Sequence, residues 1–225
     1  MADYNCVRNG ADERAKPVPL EIKWLGHASF RFSGKSSVAY IDPWKLKAAT
    51  HDADVVFVSH GHHDHCSPDD IAKVCKADTA ILAPAGADVA PAQITQVISP
   101  GQTLQIKHIT IQTVPAYNIG KDFHPRANNW CGAVFTFGRT RVYYAGDTDL
   151  IPEMSDLNNI DIALLPIGGT YTLDAAEAAR ACQAIGCKTA IPYHWGDIVG
   201  SQADVDEFVR LLHLEKCGVT VLKPA

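Results

Sequence analysis

The chain has 225 residues, 47% of them hydrophobic, and a formal charge of −5. That is enough apolar material for one substantial core, which fits a single α/β domain. The charge, without any basic block, argues against a nucleic-acid partner, and no stretch reaches the roughly 18–20 uninterrupted apolar residues of a membrane span.

The opening residues Met1 to Cys6 lack a basic region followed by an apolar one, so no secretory signal is expected. Seven cysteines (Cys6, Cys66, Cys75, Cys131, Cys182, Cys187 and Cys217) are scattered, odd in number and without a Cys-x-x-Cys pair. They read as free thiols, most of them acting as small hydrophobic residues, in a reduced cytoplasmic setting. Cys66 follows His65 directly and is a candidate to support a nearby site or to be sensitive to oxidation.

Residues 1–19 are polar, contain Pro17 and Pro19, and read as a flexible lead-in to one domain over 20–225. Glu21 to Leu25 alternates polar and apolar, Gly26-His27 interrupts it, and Ala28 to Phe32 resumes the two-residue period. Ser33-Gly34-Lys35 is a hairpin turn signal, and Ser37 to Ile41 is the next strand, closed by Asp42-Pro43-Trp44. A buried strand over Asp54 to Val58 runs into the polar Ser59 to His65, after which Ser67 and Pro68 open a helix to about Lys76. There follow a strand at Thr79 to Ala83, a short helix near Gly86 to Ala90, and strands at Gln96 to Ile98, Leu104 to Ile106 and Ile109 to Val114. The stretch from Pro115 to Trp130 is long, polar and aperiodic, a length usually tied to function or disorder.

Cys131 to Phe137 and Arg141 to Ala145 then read as paired strands around Gly138-Arg139. The second ends in Gly146-Asp147-Thr148-Asp149, and a strand at Asp161 to Leu165 ends in Pro166-Ile167-Gly168-Gly169-Thr170. Leu173 to Ile185 is helical and stopped by Gly186. Thr189 to Tyr193 leads to His194, Asp204 to Leu214 is an amphipathic helix, and Val219 to Leu222 is the last strand. Strands first and helices later, twice over, point to two stacked sheets with helices outside.

The densest chemistry is His60-Gly61-His62-His63-Asp64-His65, at the end of a buried strand. Imidazole and carboxylate are good ligands for zinc and related ions, and His-x-His can aim two rings at one ion. Asp64 and His65 can serve a second ion nearby, while His63 reads as a loop residue. Three further strand ends carry polar groups: Asn118 to His124, Asp147 and His194. One site built from distant pieces of chain is the expectation.

With those residues in view, His60-x-His62-x-Asp64-His65, Gly146-Asp147-Thr148 and Pro192-Tyr193-His194 resemble the metal motifs of the metallo-β-lactamase fold hydrolases. Trp24-Leu25-Gly26-His27-Ala28-Ser29-Phe30, Ile41-Asp42-Pro43-Trp44, Ala145 to Asp149 and Leu165 to Thr172 are similar to the subgroup that includes ascorbate-6-phosphate lactonase. The resemblance covers about residues 20–225. It implies a four-layer αββα sandwich, two mixed β-sheets flanked by helices, with the site along one edge of the sheets. It also implies that His60 and His62 bind one ion, that Asp64, His65 and His194 bind a second, and that Asp147 bridges them. The family's further histidine for the first ion is not in its usual place, where this chain reads Ala116-Tyr117-Asn118. His124 is the favoured replacement, with Asn118 or water as the alternative; His27, beside the chain break at Gly26, is another candidate ligand.

The expected activity is metal-dependent hydrolysis of a small ester, lactone or phosphodiester by water activated at a binuclear site, with Asp64 and Asp147 as catalytic residues. Zinc suits the ligands, and manganese, iron or nickel take similar sites. Asp42, Asp149 or Tyr171 are expected to hydrogen-bond ligand histidines. The substrate is a small molecule, and Lys121, Arg126, Asn128 and Asn129 are candidates to receive an anionic group. Tyr117, Trp130 and Tyr171 are candidates for an apolar wall. A homo-oligomer is left open. The alternative is a non-catalytic or mononuclear metal-binding protein of the same fold.

Overall fold

The computed structural model describes residues 20–90, 92–214 and 217–225. The expected lead-in over 1–19, with Cys6, lies outside the described residues. Alternation in the first hundred residues produces one sheet, with strands β1 (Glu21–Gly26), β2 (Ser29–Ser33), β3 (Val38–Ile41), β4 (Ala53–Phe57), β5 (Cys75–Pro84) and β6 (Gln96–Ile98) side by side in chain order. The second sheet holds β7 (Thr103–Ile106), β8 (Ile109–Pro115), β9 (Cys131–Phe137), β10 (Thr140–Tyr144), β11 (Ile162–Pro166), β12 (Thr189–Tyr193) and β13 (Gly218–Val219), again in chain order.

Each sheet starts antiparallel and finishes parallel; the change comes at β3 to β4 in one and at β10 to β11 in the other. Parallel neighbours need a crossover, and helices supply several of them. Helix α1 (Pro68–Val74) links β4 to β5, α2 (Ala175–Ile185) links β11 to β12, and α3 (Gln202–Leu214) links β12 to β13.

The two-residue period decides which face each side chain takes. In β4, Val55 and Phe57 point between the sheets, while Val56 packs outward with Ile71 and Val74 of α1. In β10, Val142 and Tyr144 point between the sheets, and Tyr143 packs outward with Ala178 of α2 and Phe208 of α3. Strands covered on both faces need near-continuous apolar sequence, as these have. Aromatic rings interlock in the central layer: Phe135 of β9 meets Phe32 and Phe57 edge-on, with ring centres 5.4 Å apart in both pairs. The result is the expected αββα sandwich.

Local chemistry sets the helix ends. The Ser67 hydroxyl caps α1 at the Asp70 N–H, and Pro68 occupies its first turn. Asp174 and Glu177 form a reciprocal capping box on α2, which therefore starts two residues after the expected Leu173. Gly186 ends α2 in the left-handed region at φ 65°, a conformation that a side chain resists.

Three expectations need correction. Gly86 to Ala90 is a turn rather than a helix, because Gly86 turns left-handed at φ 81° and the Asp88 carboxylate accepts the Ala90 N–H. Strand β5 begins at Cys75 instead of Thr79, directly off the end of α1. The last strand covers Gly218–Val219 rather than Val219 to Leu222, although Thr220 still donates to the Ala190 carbonyl.

Asp54 ties the sheets together at their far edge. Its nearly buried carboxylate accepts the Val38 N–H at 2.8 Å and the Lys76 and Lys107 ammonium groups at 2.6 Å each. Lys107 sits between β7 and β8, so this carboxylate joins one sheet to the other. Burial works to raise its pKa, but hydrogen bonds from Lys107 and Lys76 outweigh it and hold the carboxyl below its ordinary 3.8. The stability it adds is complete above the unfolded pKa and is lost as pH falls through the lower folded value. Asp54→Asn is expected to cost about 1.5–3 kcal/mol at neutral pH, the worth of hydrogen bonds to a charged group. Urea unfolding at about pH 7 and about pH 3 checks this; the gap between wild type and variant should narrow in acid.

Candidate metal centre

Strand ends from both sheets meet at one edge of the sandwich: the Ser59 carbonyl at the end of β4 accepts the Cys131 N–H at the start of β9. The turn after β1 brings His27 to that edge, and β3 and β4 end in Asp42 and in Ser59-His60. The loop after β8 carries Asn118 and His124, while β10 and β12 end beside Asp147 and His194. Such carboxyl ends of strands are where α/β proteins assemble sites. His27, Asp42 and His194 all sit in the left-handed region, at φ 48°, 43° and 60°. Non-glycine residues adopt that region at a cost, so the surrounding contacts hold them there. Gly146, at φ 68°, makes the turn that aims Asp147.

Asp147 is the hub. Its Oδ2 lies 3.2 Å from His194 Nε2, 3.3 Å from His124 Nε2, 3.4 Å from His65 Nε2 and 4.0 Å from His60 Nε2. Ligand-type atoms of His60, His62 and His124 lie within 4.8 Å of one another on one side. Those of His27, Asp64, His65 and His194 do the same on the other. His60 Nε2 is 3.0 Å from His62 Nδ1, and His27 Nε2 is 2.9 Å from Asp64 Oδ2.

The outer nitrogens of three rings are committed elsewhere. His65 Nδ1 donates to Asp42 Oδ2 at 2.8 Å, His60 Nδ1 to Ser59 Oγ at 2.9 Å, and His124 Nδ1 to Asn118 Oδ1 at 2.9 Å. An Nδ1–H committed in this way leaves Nε2 as a lone pair aimed inward. Ser59 Oγ passes its own proton toward Asp42 Oδ2 at 2.6 Å. The Asp42 carboxylate therefore orients His65 directly and His60 through Ser59.

The inner atoms lack partners. Among the described residues, His65 Nε2, His124 Nε2, His194 Nε2 and Asp147 Oδ1 are buried without a hydrogen bond. Buried polar atoms left unpaired are rare and call for an explanation such as an ion. Imidazole nitrogen and carboxylate oxygen are the donors that zinc and related divalent ions take, so this set fits such ions. Burial works against charge on Asp147, yet His194 and His65 hold its carboxyl well below the usual range. Burial pushes His60 well down, toward the neutral ring that binds metal.

The structure thus brings together His27, His60, His62, Asp64, His65, His124, Asp147 and His194. Asn118, the other candidate for the ligand place, stands behind the His124 ring. The Asn118 amide donates to Asp149 Oδ1 and the Tyr171 carbonyl, and its oxygen accepts from the backbone and ring of His124. Asn118 is a bracket for His124, and Asp149 is the bracket's anchor. His63 points to solvent with its side chain 81% exposed, as a loop residue does. Lys121 is spent on Asp149 and two backbone carbonyls, and Arg126 pairs with Glu153. Tyr117 also bonds Glu153 and packs into the helix-side core, whereas Trp130 lies 5.0 Å from the rings of both His60 and His62. The sequence reading missed Ser59 and Tyr144. Ser59 stood at the strand end beside the motif; Tyr144, whose hydroxyl donates to Asp42 at 2.6 Å, left no signal because its partner belongs to the other sheet.

The model of a beta-lactamase superfamily domain matches residues 21–194. A UPF0173 metal-dependent hydrolase of Thermococcus onnurineus is 31% identical over 91% of this chain and 97% of its own. Another, from Thermoplasma acidophilum, is 34% identical over 85% and 90% of the two chains. The chain belongs to the UPF0173 metal-dependent hydrolase family. A solved structure from Parabacteroides distasonis, 32% identical, matches 91% of this chain and 94% of that one with a TM-score of 0.81. The metallo hydrolase Igni18 of Ignicoccus hospitalis, 22% identical over 92% and 96% of the chains, has the same fold at a TM-score of 0.75. Among the described residues, no helix is long and apolar enough to cross a membrane.

The bracket around His124 generates a test. Asn118→Ala frees the ring and is expected to weaken metal affinity about 10–100-fold while the fold stays intact. Competition for metal against a chromogenic chelator, with thermal unfolding as the control, checks it.

Proposed function

We propose that this protein is a binuclear hydrolase of small, uncharged esters or lactones. His60, His62 and His124 would hold one divalent ion and Asp64, His65 and His194 a second, with Asp147 available to both. The observation that carries this reading is the convergence of unpartnered, buried Nε2 atoms on the Asp147 carboxylate. When bound, two such ions supply Lewis acidity to the substrate's oxygen and bring a water's pKa toward neutral. Zinc suits the nitrogen-rich set; manganese, iron and nickel accept it too.

The chain's own residues do the rest. Asp64 lines the cavity beside the centre and has one oxygen tied to His27. That oxygen also faces His65 Nε2 at 3.6 Å and would be the one held by the second ion, which leaves the other to orient the attacking water and take its proton. Asp42 and Asn118 hold their rings rigid, so the donors keep one geometry through the reaction.

The cavity over the centre has a volume of about 250 Å³, and Phe123, Tyr171 and Ile198 form its apolar wall. Phe123 meets Tyr171 edge-on, with ring centres 4.6 Å apart. No Lys or Arg is among the lining residues. The expectation of an anionic substrate leaned on Lys121 and Arg126, and both are paired with carboxylates. A neutral carbonyl substrate with an apolar substituent fits this wall better than a phosphodiester. Resemblance to the lineage of ascorbate-6-phosphate lactonase supports lactone opening as chemistry, without that enzyme's phosphate.

Metal analysis should find about two ions at the histidine centre of the wild type, about one there in His124→Ala, and fewer still with lost turnover in Asp147→Ala. Asp64→Asn should lower kcat for aryl esters or lactones by about 10²–10⁴-fold, the usual share of a general base. A metal-loaded wild type that turns over none of these substrates would overturn the hydrolase reading. A clear preference for phosphodiesters would overturn the substrate class alone.

A further inference from the structure

Away from the histidine centre, three thiols meet where α2 ends against the last strands. Cys182 lies in the final turn of α2, Cys187 follows the Gly186 cap, and Cys217 immediately precedes β13. Their sulfur atoms all lie within 4.8 Å of one another. Cys182 and Cys187 are buried in the helix-side core, and Cys217 is half-buried at its edge. The sequence reading took these residues as scattered small hydrophobes. The pairing of β12 with β13 brings the third beside the other two.

Among the described residues, sulfur is the sole donor type in this group. Thiolate-only sites select soft ions over magnesium or calcium. A zinc–sulfur bond of about 2.3 Å puts ligand sulfurs about 4 Å apart around one ion, inside the observed limit. The surroundings favour positive charge. The carbonyl oxygens of Cys187 and Gly218 each lie 3.5 Å from Cys217 Sγ, and that of Lys188 lies 3.9 Å away. The negative end of the α2 dipole falls at the same place. Half-exposed Cys217 leaves a way in for an ion.

We propose that Cys182, Cys187 and Cys217 form a second, structural metal site for a soft divalent ion of the zinc type, independent of the histidine centre. Binding sends the displaced thiol protons to solvent and clamps the end of α2 to the β12–β13 edge.

Cadmium(II) titrated into the reduced full-length protein tests this, because thiolate-to-cadmium charge transfer absorbs in the ultraviolet and imidazole or carboxylate ligation does not. The absorption should saturate at one ion per chain and persist in Asp147→Ala. It should require at least about tenfold more cadmium in Cys217→Ser, as loss of one ligand implies, and stay unchanged in Cys75→Ser. A wild type without the absorption, or a Cys217→Ser variant that keeps it, overturns the proposal. So does a purified protein whose mass is short by the hydrogens of one disulfide among these three cysteines. Should Cys217→Ser fail to fold, alkylation of the wild type decides: cadmium should protect Cys217 from alkylation, and equal rates with and without the ion refute the site.

Discussion

One buried carboxylate holds the edge of this molecule together. Asp42 is fully buried, sits in the left-handed region after β3, and accepts from the Ser59 N–H at 2.7 Å and the Ser59 hydroxyl at 2.6 Å. It also accepts from His65 Nδ1 at 2.8 Å and from the Tyr144 hydroxyl at 2.6 Å. A buried charge is tolerated only when donors surround it, and here they come from both sheets. The same contacts that stabilise the carboxylate set the tautomer of His65, steer His60 through Ser59 and lock the sheets in register at the site. Structure and chemistry share one group, so neither can be changed alone.

A second carboxylate does the parallel task across the centre. Asp149 holds the Asn118 amide, the Ile119 N–H and the Lys121 ammonium. Those contacts convert the aperiodic 115–130 stretch into a fixed arm that delivers His124 and raises Phe123 beside Tyr171. The loop that supplies Asp147, on which the histidine nitrogens converge, supplies this anchor two residues later. Ligand and support are thereby placed by one turn, and the apolar cavity wall follows from the same arm.

Much of this was legible in the chain. Alternation marked most strands, Ser67-Pro68 and Gly186 marked helix ends, and His60-x-His62-x-Asp64-His65 pointed to the cluster of ligand-type side chains, because each signal is local. Misreadings arose where a local preference met a competing local bond. Gly86 to Ala90 has helix-compatible alanines, yet the Asp88 carboxylate turns the backbone first. Lys121 and Arg126, offered as an anion site, are each paired with a carboxylate. Long cations find the nearest carboxylate in space, and sequence does not reveal that Asp149 and Glu153 are those neighbours.

The sequence by itself determined the kinds of atom available, the strands that carry them and the family to which such motifs belong. Only the tertiary structure decided which atoms meet. It placed the Asn118 amide behind the His124 ring, joined Tyr144 to Asp42 across the sandwich, and gathered three cysteines beside β13. Each of those choices depends on distances between residues far apart in the chain. Packing two sheets face to face sets those distances, and no local periodicity encodes them.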